Sequence, residues 1–148
     1  MAVAASGIKV AASNAQKTRT GQWRPFFTFF SNGGGYRAVS SAEIIAMLTQ
    51  LAERAHEKGL RIFTGTLTPF EGTIFAGYFT PAKEVKRQAI NHWIRMSGVF
   101  DAVIDFDVAT RDPSHPTRLL PAYDSGDHLH PNDVGYKAMA DAIDLSLF

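Results

Sequence analysis

The sequence predicts an α/β domain in which parallel strands are covered by helices. Three observations point to it. Segments of helical periodicity alternate with two short apolar runs, Leu60 to Leu67 and Phe100 to Phe106. The order helix, strand, helix, strand, helix leaves no short hairpin connection between the two strands, so they must run parallel through a helical crossover. The helices also carry their own start signals.

The first helix opens at Ser40-Ser41-Ala42-Glu43, a capping box. Ile44, Met47, Leu48, Leu51 and Ala55 then recur at helical spacing until Gly59 stops the pattern. The run Leu60 to Leu67 is rich in β-branched and aromatic residues and is closed by Pro69, as expected of a buried strand. Thr80 is placed to cap a second helix with Pro81 at its first position, and Val85, Ala89, Trp93 and Ile94 form its expected apolar face. The second strand, centred on Ala102, Val103 and Ile104, leads into a loop holding Asp112, Pro113, His115, Pro116 and Pro121. Asn132 is the expected cap of the last helix, with Val134, Ala138, Met139, Ala142 and Ile143 as its apolar stripe. Gly135 in the first turn predicts a close approach to a neighbouring backbone.

A length of 148 residues suits one domain with a single core. The net charge of +1 hides an asymmetry, because Lys9, Lys17, Arg19, Arg24 and Arg37 all precede the first acidic residue, Glu43. Those basic residues are dispersed, which argues against a nucleic-acid arm. Met1 to Ala12 is interrupted by Ser6, Gly7 and Lys9, so it does not form the apolar stretch of a secretory signal. Phe26-Phe27-Thr28-Phe29-Phe30 is too short to span a bilayer. A soluble protein is expected, with residues 1–36 as an atypical opening and 37–148 as the α/β domain, the boundary falling near Gly33-Gly34-Gly35.

The most informative stretch is Asp127-His128-Leu129-His130-Pro131-Asn132, followed by Gly135. An aspartate three residues before a histidine can reach its ring within one tight turn. It then fixes the tautomer so that the other ring nitrogen can accept a hydroxyl proton. In an open parallel sheet, loops leaving the carboxyl ends of the strands line one crevice. Thr68-Pro69-Phe70-Glu71 and the Asp127–His130 segment both leave from that edge, and Phe70, Glu71 and Tyr123 are the expected mouth of the pocket.

Asp124, Asp127, His128, His130 and Asp133 also crowd potential metal ligands together, but no cysteine is available and Pro131 beside a capping turn does not impose zinc geometry. No metal and no cofactor are therefore expected.

These residues resemble the SGNH hydrolases, also called GDSL-type esterases and lipases. In that family an Asp-x-x-His-Pro motif before the final helix supplies the catalytic acid and base, here Asp127 and His130. Pro131, Asn132 and Gly135 fall where that pattern has them, as does the Thr66 to Gly72 loop. The resemblance covers about Val39 to Phe148 and implies a three-layer, flavodoxin-like parallel-sheet fold, shortened at its start. The family's Gly-Asp-Ser nucleophile motif, its oxyanion glycine and its Gly-x-Asn-Asp motif have no counterpart in this chain. Ser125 is the weak substitute candidate for the nucleophile.

The resemblance implies hydrolysis of small or short-chain acyl esters, such as acetylated sugars, without a cofactor. The alternative is a catalytically impaired hydrolase fold serving as an oligomeric scaffold or binding protein. Uncovered sheet edge would promote homo-oligomer formation, with Ile8 to Ala11 or Phe26 to Phe30 supplying a replacement strand.

Overall fold

The computed structural model describes residues 38–148, together with the backbone of two short antiparallel strands, β1 (Gln16–Lys17) and β2 (Trp23–Arg24). The expected replacement strands, Ile8 to Ala11 and Phe26 to Phe30, lie outside the described residues.

Helix α1 (Ser41–His56) begins as its sequence requires: Ser40 Oγ accepts from the Glu43 N–H, and a Glu43 carboxylate oxygen accepts from the Ser40 N–H at 2.8 Å. Helix α2 (Pro81–Met96) is capped by Thr80, whose hydroxyl accepts from the Lys83 N–H. Between and after these helices lie β3 (Phe63–Gly65) and β4 (Ala102–Ile104). They pair in parallel with Phe63 opposite Ala102 and Gly65 opposite Ile104. The α/β architecture is therefore built on a β3-α2-β4 crossover.

The core lies where α1 and α2 meet beside this sheet. Ile44, Ala52, Ile90, Ile94 and Phe100 are buried together, with Val39, Leu48, Ile62, Trp93 and Val99 packed against them. Each large side chain in such a cluster contributes roughly 1.5–3 kcal/mol by leaving water.

Two expectations need correction. Val85 and Ala89 do not face the core: Val85 is 68% exposed, and the buried face of α2 consists of Lys83, Glu84, Arg87, Ile90, Asn91 and Ile94. The helix turns this polar stripe inward because the stripe finds partners there. Arg87 donates to Glu84, to Asp107 and to the Leu67 carbonyl, while Asn91 both accepts from and donates to the Leu67 backbone. On the last helix, Val134 and Ala142 are likewise exposed among the described residues.

The second correction concerns the strands and the segment after them. Only three residues of each expected strand pair in the sheet. Phe106 belongs to a helix, α3 (Phe106–Thr110), capped by Asp105, which accepts from the Val108 N–H. The Pro-containing stretch is not a plain loop. It forms a hairpin, β5 (Arg111–Asp112) and β6 (His115–Leu119), and then a turn of 3₁₀ helix, Pro121–Tyr123. Helix α4 (Asp133–Asp141) closes the domain, and its packing against α3 and the 3₁₀ turn places the Asp127–His130 segment. Among the described residues no helix is long and apolar enough to cross a membrane.

Candidate active site

Residues 123–132 form a loop whose ends are fastened together. The Asn132 N–H donates to the Tyr123 carbonyl at 2.7 Å, and the Asn132 side-chain amide donates to the Ala122 and Asp124 carbonyls at 3.0 and 3.1 Å. Asn132 Oδ1 meanwhile caps α4 by accepting from the Gly135 N–H. Gly135 permits this closure: a Cβ there would stand 2.6 Å from the Tyr123 carbonyl oxygen and 2.8 Å from the Pro131 Cβ. The close approach expected at this glycine is therefore with the loop that carries the histidine.

Within the loop, Asp127 and His130 come together. Asp127 Oδ2 lies 2.6 Å from His130 Nδ1. Its Oδ1 accepts from the N–H groups of His130 and Leu129 at 2.8 and 2.9 Å and from the Ser125 hydroxyl at 3.0 Å. The contact with the His130 ring and the three further donors outweigh the opposing effect of burial and hold the Asp127 carboxyl far below the usual carboxylate range. An anion on Nδ1 favours the tautomer with its proton there, leaving Nε2 as a lone-pair acceptor on an exposed ring.

A second pair, not anticipated from the sequence, lies beside the first. Asp124 contacts the His128 ring through Nδ1 and accepts from the His128 and Gly126 N–H groups. Burial pushes the Asp124 carboxyl up, but these three hydrogen bonds outweigh it and the group is shifted down. His128 has a φ of 57°, a left-handed conformation unusual outside glycine, and the Asp124 bonds hold it there. Its ring lies against Gly72, another left-handed residue, where a Cβ would stand 3.7 Å from the imidazole. His128 and His130 thus turn to different aspartates. Among the described residues no three imidazole or carboxylate groups converge as metal ligands.

The loop after β3 meets this segment. The Ile74 N–H donates to the Asp127 carbonyl at 3.2 Å, and the Phe75 ring meets the His130 ring edge to face, with centroids 6.5 Å apart. Together Phe75, Tyr78, Leu129 and His130 line an open cleft of about 390 Å³.

The expected mouth residues Phe70, Glu71 and Tyr123 do not line it. Phe70 is buried beneath, edge-on to Tyr78 and Phe79. The Glu71 carboxylate is taken up by the Thr117 hydroxyl and the Arg118 guanidinium, which hold it below its usual range. Tyr123 serves through its backbone, as the clasp to Asn132. Ser125 is brought to Asp127, with its hydroxyl donating to the carboxylate. The sequence signals for Phe75, Tyr78 and Leu129 are slight: the apolar pairs Ile74-Phe75 and Tyr78-Phe79 in the loop before Thr80, and a leucine between two histidines.

The family model of the GDSL-like lipase/acylhydrolase family matches residues 12–138. Among solved structures, the chain is similar to a GDSL-like lipase from Bacteroides thetaiotaomicron, with a TM-score of 0.62 at 18% sequence identity. That similarity covers 78% of this chain and 55% of the other, so the chain spans little more than half the length of that protein. At such low identity the likeness speaks for the fold. No curated protein matches the sequence.

Proposed function

The chain belongs to the GDSL-like lipase/acylhydrolase family, and from that premise we propose that it hydrolyses small carboxylic esters through a nucleophile activated by the Asp127–His130 pair. The observation that carries this reading is the 2.6 Å contact between Asp127 Oδ2 and His130 Nδ1 on an exposed ring that lines a cleft.

The chemistry follows from that arrangement. Nε2 accepts the proton of the nucleophile's hydroxyl as its oxygen attacks the ester carbonyl carbon. The resulting imidazolium is stabilised by the Asp127 carboxylate, which stays ionised because its pKa is held so low. The same proton then passes from Nε2 to the departing alkoxide as the C–O bond breaks, leaving an acyl group on the nucleophile. Water, deprotonated by His130 in turn, attacks the acyl carbon, and Nε2 returns that proton to the nucleophile's oxygen as the acyl bond breaks and the acid leaves. Ser125 supports the aspartate in this scheme. Its hydroxyl hydrogen is directed at the carboxylate, whereas a nucleophile must present its hydrogen to Nε2.

The test is turnover of p-nitrophenyl acetate by the wild type and by His130→Ala. The reading expects the variant to fold normally, because His130 is exposed, and to lose at least about a thousandfold in kcat/KM. Equal rates in the two proteins would replace the hydrolase reading with that of a non-catalytic scaffold.

A further inference from the structure

We infer that the cleft formed by Phe75, Tyr78 and Leu129 beside His130 receives the uncharged, apolar tail of the ester, so that the chain selects alkyl esters over acetylated carbohydrates. The inference rests on the ester-hydrolase reading for its catalytic meaning, although the binding it describes can be measured without catalysis.

The lining is the first argument. Among the described residues it is lined by a phenylalanine, a tyrosine, a leucine and the His130 ring, and the surface these present is predominantly apolar. A carbohydrate site needs several converging donors and acceptors, since each sugar hydroxyl stripped of water without a partner weakens binding. The charges nearest Phe75 and Tyr78 in the sequence are engaged elsewhere. The Glu71 carboxylate is bound by Thr117 and Arg118, and the Lys83 ammonium donates to the Gly77 carbonyl at 2.7 Å. Phe75 is 45% exposed directly beside the imidazole, a large apolar surface that a substrate tail would cover.

The second argument is that this wall is fastened in place. Phe70, 3% exposed, anchors Tyr78 and Phe79 through edge contacts with centroids 5.8 and 5.4 Å apart. Lys83 Nζ lies 5.9 Å from the centre of the Tyr78 ring. Ile74 is tied to the Asp127 carbonyl and Gly72 lies against His128, so the aromatic loop keeps its distance from the reacting nitrogen. The volume of about 390 Å³ suits a short chain or a single ring.

The experiment uses uncleaved amide isosteres of the ester, titrated into the full chain labelled with nitrogen-15. One series lengthens the acyl side, from N-methylacetamide through N-methylbutanamide to N-methylhexanamide; the other lengthens the N-alkyl side, ending at N-hexylacetamide. Affinity should rise roughly fourfold for each methylene that enters the cleft, hence about fifteenfold for each pair. The rise should appear in one series, which identifies whether acid or alcohol occupies the cleft. The shifted amide signals should centre on Phe75, Tyr78 and Leu129. Phe75→Ser, at a half-exposed position, and Leu129→Ser should each flatten the dependence while leaving the circular dichroism spectrum unchanged.

Affinity independent of length in both series, or signals moving elsewhere, would overturn the inference. Length-dependent binding together with a failure to cleave any ester would instead sink the hydrolase reading and leave the apolar site standing.

Discussion

Asp127→Asn is the most exacting test of the acid–base pair, because the substitution preserves shape and reverses one polarity. Asp127 Oδ1 accepts three hydrogens, from Ser125, Leu129 and His130, at 2.8–3.0 Å. The asparagine will keep its carbonyl oxygen at that position, where three donors need an acceptor. Its NH₂ then replaces Oδ2, 2.6 Å from His130 Nδ1. Two donors cannot face each other, so the ring shifts its proton to Nε2 and loses the acceptor on which catalysis depends. The loss of the charge-assisted bond costs about 1–2 kcal/mol of stability, whereas the wrong tautomer costs about 10⁴ in kcat, equivalent to about 5.4 kcal/mol in the barrier. The assay pairs steady-state ester hydrolysis with nitrogen-15 shifts of the imidazole, which report the tautomer directly. A folded Asp127→Asn protein that retained kcat within tenfold of wild type would refute this reasoning.

Other consequences concern mainly the fold. Gly135→Ala puts a methyl group 2.6 Å from the Tyr123 carbonyl oxygen. It should cost about 1–3 kcal/mol and, because the Tyr123–Asn132 clasp must open, lower turnover as well; an unchanged melting temperature would count against the close approach. Arg87→Ala leaves Glu84 buried without its cation, while Asp107 keeps Arg95 and Arg111, a loss of about 3 kcal/mol that urea unfolding will show. For acid stability, burial pushes the Asp105 carboxyl up, but Arg95, Thr66 and the Val108 N–H outweigh it and bring it down to about 2 from a usual 3.8. A depressed folded pKa stabilises above the unfolded value and loses that contribution as pH falls toward the folded one. With a third of the side chain in water, Asp105 should account for about 1 kcal/mol lost between roughly pH 5 and pH 2. Asp105→Asn should remove that component from the pH dependence of unfolding, and an unaltered profile would contradict the assignment.

What could be read in the sequence were features set by local chemistry. The Ser40–Glu43 capping box, the Thr80-Pro81 start and the Asn132 cap depend on residues within one turn of one another, and the structure forms all three. The same holds for Asp127 and His130, whose pairing needs only a three-residue turn, and for Gly135. Hidden features were those that depend on distant partners. Lys83, Glu84, Arg87 and Asn91 look like a solvent face until Leu67 and Asp107 arrive from other elements to satisfy them. The β5–β6 hairpin was obscured by its prolines. Glu71 looked like a pocket residue because the Thr117 and Arg118 that occupy it lie on that hairpin.

The central claim, that Asp127 and His130 activate a nucleophile, is tested most directly by treating the full chain with a serine-directed fluorophosphonate. Intact mass and peptide mapping of wild type and His130→Ala then show whether and where the protein is modified. The account predicts a single adduct on one hydroxyl of the wild type and none in the variant. A folded wild-type protein that takes up no label, or takes it up equally without His130, would contradict it.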